Sequence, residues 1–190
     1  MIVTWLPSWL STDLSLISGF LTWIVVLSWL WRSGWKIQRR YFIEATQKPL
    51  TRNAIVWSAG IVGAIFFVAA QMRPGMPGVM TVAMIGALSA YVDARTHRLP
   101  NAYTVAMAIG VVLGLVVGGV ISPLWQERLL GALIGALIWF VPIALLNRLP
   151  GGMGGGDVKL APVLGALVGS VGLNAAIFAL ALSFVSAGVA

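Results

Sequence analysis

Two aspartates interrupt the apolar parts of this chain. Asp93 ends the apolar run 79–92, and Asp157 begins the last apolar segment directly after Gly154, Gly155 and Gly156. An ionisable group at the edge of an apolar segment is costly unless it faces protein, water or a partner, so function is the first hypothesis. Two carboxylates that face each other can share one proton. One then acts as general base on a water molecule, while the other donates a hydrogen bond to a substrate carbonyl.

Each aspartate also has a structural interpretation as a charge at a helix end. Asp157 could cap the N-terminus of the helix that follows it, where its charge also suits the helix dipole. Asp93 fits less well, because a negative charge near a helix C-terminus opposes the dipole, although Arg95 and Arg98 soften this effect. The run of glycines favours function, since glycine permits backbone conformations closed to other residues and lets another chain approach closely. The remaining acids are interpreted as solvated: Asp13, Glu44 and Glu127.

The composition indicates that membrane-spanning helices must position these carboxylates. Of the 190 residues 59% are hydrophobic and 9% are charged, and the mean hydropathy is +0.97. Several uncharged runs approach the roughly 20 residues that cross a bilayer, so the fold is predicted to be an all-α polytopic bundle. The chain has no cysteine and one histidine, His97, which excludes disulfides and argues against a metal site. We expect no metal and no cofactor.

The hydrophobic pattern predicts helices at about 14–31, 54–70, 77–93, 102–121 and 129–147. The uncharged stretch 160–190 is long for one helix and is interrupted near Gly169 and Gly172, so we divide it into helices at 158–169 and 173–190. A twelve-residue helix covers only about 18 Å and can span only from a loop already sunk into the protein. We therefore prefer seven spans, with six as the alternative.

The cations indicate the orientation of the chain in the membrane. The loop 32–53 holds six of the twelve Lys and Arg residues, and the loops 94–101 and 148–159 fall on the same side. Only Arg73 and Arg128 fall on the other side. By the positive-inside rule the N-terminus is outside and the three loops are cytoplasmic. The net charge of +7 is thus explained by membrane orientation and not by nucleic-acid binding. The basic loop 32–53 is expected near anionic headgroups. Tryptophans near helix ends are typical of an interfacial belt: Trp5, Trp9, Trp29, Trp31, Trp35, Trp57 and Trp125.

Two motifs carry a resemblance to a known family. The segments YVDARTHRLPN (91–101) and MGGGDVKL (153–160) resemble the two aspartate motifs of the prepilin peptidases, or type IV leader peptidases, which are GxGD intramembrane aspartyl proteases. The separation of the two aspartates, 157 − 93 = 64 residues, is typical of that family. The resemblance covers roughly residues 54–190. The matching residues are Asp93, Arg95, Arg98, Leu99, Pro100 and Asn101 in the first motif and Gly154, Gly156, Asp157, Lys159 and Leu160 in the second.

The resemblance implies that Asp93 and Asp157 are the catalytic pair. It implies an endopeptidase that removes the leader from type IV prepilins or pseudopilins at the cytoplasmic face of the cell membrane, commonly just after a glycine. The substrate and the lipid bilayer are then the expected partners, and the oligomeric state stays open. Candidate substrate-binding or loop residues are Gly154, Gly155, Gly156, Lys159, Arg95, Arg98, Pro100 and Asn101. Lys159 is interpreted first as a side chain that snorkels to the headgroups, His97 as a solvated loop residue, and Asn101 as the cap of the next helix after the Pro100 turn.

The chain also departs from the family pattern. Larger members carry four zinc-binding cysteines after the first helix and N-methylate the new terminus, whereas this chain has no cysteine, so methyltransferase activity is not expected. Members usually continue through a Pro-(Phe/Tyr)-Gly loop to one more helix, which we expect to be missing here. We divide the chain into 1–53, with the first helix and basic loop, and 54–190, the protease-like membrane domain. Two alternatives stay open: a small transporter or channel with a glycine-broken helix, and a non-catalytic assembly factor.

Overall fold

The computed structural model describes residues 8–70, 75–150 and 153–189, and the regular elements in these ranges are all helical. They are α1 (Ser8–Trp29), a π-helical turn (Leu30–Gly34), α2 (Trp35–Glu44), α3 (Arg52–Ala69), α4 (Met76–Thr96), α5 (Asn101–Ile121), α6 (Trp125–Asn147), α7 (Gly155–Gly169) and α8 (Leu173–Val189). Trp5 and Arg73, used above for the belt and the orientation, lie outside the described residues, as do the side chain of Trp9 and the glycines at 151 and 152.

Five helices are long and apolar enough to cross a membrane: Asp13–Glu44, Arg52–Ala69, Met76–Thr96, Asn101–Ile121 and Trp125–Asn147. Large apolar side chains are exposed along them, among them Val25, Val68, Val116 and Leu137. Extended apolar surface of this kind marks contact with a membrane or a partner. The all-helical polytopic membrane fold is therefore confirmed. Helix Leu173–Ser186 is apolar but shorter, and the choice between six and seven spans stays a prediction.

The predicted loop 32–53 is wrong over most of its length. The chain runs without interruption from Asp13 to Glu44 as 32 helical residues, which at 1.5 Å per residue is about 48 Å and exceeds the roughly 30 Å hydrocarbon core. Helix α2 forms because its apolar and polar residues follow the helical period, with Gln38 and Phe42 buried four residues apart on one face. The many cations of α2 occupy its other faces, so charge did not exclude a helix here.

The chain contacts define two compact units, Met1–Pro123 and Leu124–Ala190. In the first unit, α4 and α5 pack closely because glycines remove side chains from the interface. A Cβ at Gly110 would collide with the Thr81 side chain, and one at Gly114 would lie 2.8 Å from the Gly78 nitrogen. Many of the unit's fully buried side chains also come from this pair of helices: Met76, Met80, Met84, Tyr103 and Met107. The predicted domain boundary between residues 53 and 54 stays a prediction.

In the second unit, α6 and α7 meet at two pairs of glycines. Gly131 and Gly135 of α6 face Gly169 and Gly165 of α7, and a Cβ at any of the four would collide with the opposite backbone. This is the close backbone approach that the G-x-x-x-G spacing allows between membrane helices. Helix α8 is joined to the pair by Trp139, whose buried indole N–H donates to the carbonyl oxygen of Ala176 at 2.9 Å. Helix α6 thus contacts both other helices of the unit, including α7, which carries Asp157.

Candidate active site

The first motif lies where α4 ends and α5 begins. Asp93 is half-buried in the last turn of α4. The chain leaves this helix through His97, which adopts the left-handed conformation at φ 50° and whose backbone N–H donates to the Asp93 carbonyl oxygen at 2.7 Å. The Thr96 hydroxyl is buried and donates to the Val92 carbonyl oxygen at 2.8 Å. The motif therefore fixes the backbone around Asp93 through its own hydrogen bonds.

The other predicted residues of this motif have distinct environments. Arg95 is exposed, with its guanidinium 5.8 Å from the centre of the Tyr91 ring. Arg98 forms an ion pair with Glu44, at 3.2 Å between Nη1 and Oε2. Pro100 is fully buried, and its carbonyl oxygen accepts hydrogen bonds from the backbone N–H groups of the first turn of α5. The turn predicted at Pro100 is therefore present.

The prediction that Asn101 caps α5 is wrong. The N-cap residue is Pro100, whose backbone is extended at φ −65° and ψ 117°. Asn101 is the first helical residue, and α5 has no side-chain capping hydrogen bond. Proline can take this place because its fixed φ already matches the extended entry into the helix, and its missing N–H donor costs nothing there.

The C-terminus of α2 packs against the same motif, through residues that sequence reasoning missed. The amide Nε2 of Gln47 donates to the Arg95 carbonyl oxygen at 2.7 Å. The ring of Phe42, which is 1% exposed, stacks on Tyr91 with 6.0 Å between centroids. Glu44, interpreted above as merely solvated, accepts from Arg40 at 2.8 Å as well as pairing with Arg98. The first motif is thus held on one side by a helix predicted to be a loop.

The second motif opens α7. Gly154 is the N-cap residue, and the backbone N–H of Asp157 donates to its carbonyl oxygen at 3.1 Å. Asp157 is half-buried and is the third residue of the helix, so the expectation that it forms the N-cap is wrong. The helix starts three residues earlier than predicted, because glycine can adopt helical dihedrals and the N–H groups of the first turn have no intrahelical acceptor in any case. The carboxylate still lies in the turn where the helix dipole favours negative charge.

The glycines of the second motif do not adopt conformations closed to other residues. Gly154 has φ −66° and ψ 149°, and Gly155 and Gly156 lie in the first turn of α7. Among the described residues Gly75 is the glycine with positive φ. What these glycines provide is space: a Cβ built on Gly155 meets no atom within 4 Å, and one on Gly154 would lie 3.5 Å from Asp157 Oδ2. The backbone before Asp157 is therefore open to a neighbouring molecule.

The approach to Asp157 is shaped by neighbours in its own unit. Lys159 is exposed on α7. Asn147, at the end of α6, donates through Nδ2 to the carbonyl oxygen of Met153 at 2.5 Å. Met153 and Val158 pack against the buried cluster of Trp139, Ile143 and Ala161. Asn147 was missed, because nothing in its sequence neighbourhood distinguishes it from an ordinary helix-end residue. In the described part of the chain, no three His, Cys, Asp or Glu side chains lie together as metal ligands would.

A sequence model of the type IV leader peptidase family matches residues 79–190. The match covers more than half of the chain and includes both motifs. The chain belongs to the type IV leader peptidase family. It is therefore a membrane protein of a peptidase family, and the enzymes of this family are of the aspartic type. No curated protein and no solved structure matches.

Proposed function

We propose that the protein is an aspartic endopeptidase that removes the leader from a type IV prepilin or pseudopilin, with Asp93 and Asp157 as its catalytic pair. The observation that carries the proposal is the family match over a region in which both motifs hold a half-buried aspartate at a helix end. Asp93 is in the last turn of α4 and Asp157 in the first turn of α7. A half-buried carboxylate at a helix end is accessible to a substrate and can act as a general acid or base.

The proposed chemistry uses one ionised and one protonated carboxyl group. The ionised aspartate takes a proton from a water molecule, whose oxygen attacks the scissile carbonyl carbon. The protonated aspartate donates to the carbonyl oxygen and stabilises the charge that develops there. Collapse of the tetrahedral intermediate breaks the C–N bond, and the leaving amine takes a proton from the first aspartate. Either aspartate can hold either role, because the pair shares one proton.

The open backbone at Gly155 supports a close approach of the substrate chain. A substrate residue next to the cleaved bond has to lie against the enzyme within hydrogen-bonding distance, and a side chain at this position would occupy that space. The exposed cations Arg95 and Lys159 are proposed to lie at the headgroup level. We place the active site at the cytoplasmic face of the cell membrane, as the positive-inside distribution of Lys and Arg favours. We also propose that the protein does not methylate the new N-terminus.

Cleavage of a synthetic prepilin with one hydrophobic helix, by purified protein in detergent, tests the proposal. We expect Asp93→Asn and Asp157→Asn each to lower the rate by about 10²- to 10⁴-fold, as loss of a general acid or base does. Asp13→Asn is the matched control, since Asp13 is exposed near the start of the first span. Retained cleavage in either active-site variant would reject the assigned roles. Ion flux without cleavage would support the transporter, and pilus assembly that needs the chain but not Asp93 would support the assembly factor.

Two further measurements test the finer parts of the proposal. The chain has no cysteine, so a single Lys48→Cys or Arg128→Cys variant carries one thiol for a membrane-impermeant reagent. We expect Lys48→Cys to react only from the cytoplasmic side and Arg128→Cys only from the opposite side. The reverse pattern would overturn the orientation. Incubation with a labelled methyl donor and the cleaved substrate is expected to transfer no label.

A further inference from the structure

The C-terminus of α2 ends in a defined hydrogen-bonded turn. The backbone N–H of Gln47 donates to the Phe42 carbonyl oxygen at 2.8 Å, and the N–H of Thr46 donates to the Ile43 carbonyl oxygen at 3.0 Å. This pair of bonds is the Schellman arrangement, which requires a left-handed residue just after the helix. Thr46 fills that place at φ 55°, although a β-branched residue is disfavoured there. The turn thus directs the chain at Gln47 despite a local conformational cost.

The side chain of Gln47 reaches the end of another helix. Its Nε2 donates to the Arg95 carbonyl oxygen at 2.7 Å, across 48 residues of sequence. The last four carbonyl groups of a helix have no intrahelical donor and need partners from elsewhere. In α4 the carbonyl of Asp93 is satisfied by the His97 N–H, and the carbonyl of Arg95 by Gln47. Gln47 therefore supplies part of the C-terminal cap of the helical turn that contains Asp93.

Buried contacts hold Gln47 at that position. Phe42, 1% exposed, stacks on Tyr91 of α4. Gln38 is 2% exposed and donates through Nε2 to the Leu50 carbonyl oxygen at 3.0 Å, so the chain after Gln47 is tied back onto α2. Buried and hydrogen-bonded contacts of this kind restrict the motion of a short segment far more than exposed charges do. The segment from α2 to Leu50 is thus a fixed support for the end of α4.

We propose that Gln47 is a positioning residue for the reaction, acting by capping the turn that carries Asp93. The inference rests on the proposed function, in which Asp93 is one of the catalytic pair. Gln47 contacts no reacting atom; its hydrogen bond keeps the last turn of α4 helical, and this sets the direction of the Asp93 carboxylate. A small displacement of a catalytic group is enough to slow a reaction strongly, so the effect should fall on kcat and leave KM nearly unchanged.

Two substitutions of Gln47 separate the hydrogen bond from the shape of the side chain. Gln47→Glu keeps the size but replaces the donor by an acceptor and sets a negative charge against a helix C-terminus. Gln47→Arg keeps a donor and adds a charge that a helix C-terminus favours. We expect Gln47→Glu to lower kcat roughly three- to tenfold, the effect of one exposed hydrogen bond, and Gln47→Arg to retain cleavage. Gln126→Ala is the matched control, since Gln126 is exposed on α6 in the other unit.

Hydrogen exchange of the His97 amide gives a readout that does not depend on cleavage. That amide is bonded to the Asp93 carbonyl, so loss of the cap should speed its exchange in Gln47→Glu by a similar factor and leave the amides of α6 unchanged. Unaltered exchange and cleavage in Gln47→Glu would overturn the inference, as would an equal loss in Gln47→Arg. If wild-type protein cuts no prepilin, but the His97 amide exchanges faster in Gln47→Glu than in wild type, the proposed function is rejected and the capping role of Gln47 is retained. If cleavage is lost in Asp93→Asn but is unchanged in Gln47→Glu, only the positioning role of Gln47 is rejected.

Discussion

The backbone N–H of His97 lies 2.7 Å from the carbonyl oxygen of Asp93, and His97 makes this bond from the left-handed region of backbone space. The imidazole itself is exposed, in agreement with its interpretation as a solvated side chain. The contribution of His97 to the site is therefore made by its backbone, and its side chain can be changed without touching the carboxylate.

Replacement of His97 by glycine should stabilise the protein. Glycine adopts the left-handed conformation without steric cost, whereas an L-residue pays roughly 1–2 kcal/mol there. Part of this gain is offset because glycine loses more conformational freedom on folding. We therefore expect the free energy of unfolding to rise by up to about 1 kcal/mol, measured by thermal unfolding in detergent. His97→Asn, which tolerates the conformation, should stay near wild type, and His97→Val should be less stable. A glycine variant that melts below wild type contradicts the backbone argument.

A methyl group at the glycine contact between α6 and α7, here called the glycine seam, should lower the stability of the second unit. In Gly165→Ala the new Cβ would collide with the Gly135 carbonyl oxygen and would lie 2.8 Å from the Trp139 Cβ. The two helices have to move apart, and overpacking of this kind costs about 1–3 kcal/mol. The matched control is Gly172→Ala, where a Cβ meets nothing within 4 Å. Equal unfolding midpoints for the two variants in a detergent titration would show that the seam does not carry the packing.

The substitution Gly155→Ala should separate folding from catalysis. No atom lies within 4 Å of a Cβ at this position, and Gly→Ala where alanine can adopt the native dihedrals stabilises a protein by about 0.4–1 kcal/mol. We expect an unfolding midpoint at or above that of wild type. Cleavage should nevertheless fall by about ten- to a hundredfold, because the methyl group occupies the space proposed for the substrate backbone. Unchanged kcat/KM in a normally folded Gly155→Ala protein would place the substrate elsewhere.

The exposed ion pairs of Glu44 should contribute little. Glu44 bonds to Arg40 at 2.8 Å and to Arg98 at 3.2 Å, but all three side chains are solvent-accessible, and such pairs are largely screened by salt. We expect Glu44→Gln to cut and unfold like wild type, and salt up to about 1 M to leave the end of α4 in place. Phe42→Ala is the contrasting variant, since loss of a buried aromatic ring costs about 3–5 kcal/mol. A large effect of Glu44→Gln would mean that charge, and not packing, holds α2 on α4.

Many of the helices could be predicted, because a long apolar run of about the length that crosses a bilayer indicates a membrane-spanning helix. The predicted helices at 54–70 and 102–121 agree closely with α3 and α5. The prediction of a loop at 32–53 was wrong because the cations were given more weight than the helical period of the segment. Gln38 and Phe42 lie four residues apart on a buried face. The G-x-x-x-G spacings at 131–135 and 165–169 are present in the sequence. They indicate close helix packing only when the two helices are known to face each other.

The two motifs could be identified from the sequence, and their role as the site stays a prediction; the local structure around them could not be predicted. The motif residues identified Asp93 and Asp157 as candidates, but the starting residue of α7 depends on whether glycine takes helical dihedrals, which the sequence leaves undecided. Gln47 could not be predicted, since its partner is the carbonyl oxygen of Arg95 and every residue has a carbonyl oxygen. Contacts from a side chain to a distant backbone leave no trace in residue types.

Helix α7 has fifteen residues and so measures about 22 Å, several ångströms less than a typical hydrocarbon core of roughly 30 Å. Lipids accommodate such a hydrophobic mismatch by thinning around the protein. A crossing by α7 would therefore thin the bilayer beside Asp157, and in the proposed function this would shorten the path of a leader peptide from water to the carboxylate. If Asp157 is catalytic as proposed, cleavage should then depend on acyl chain length and should slow in thicker membranes.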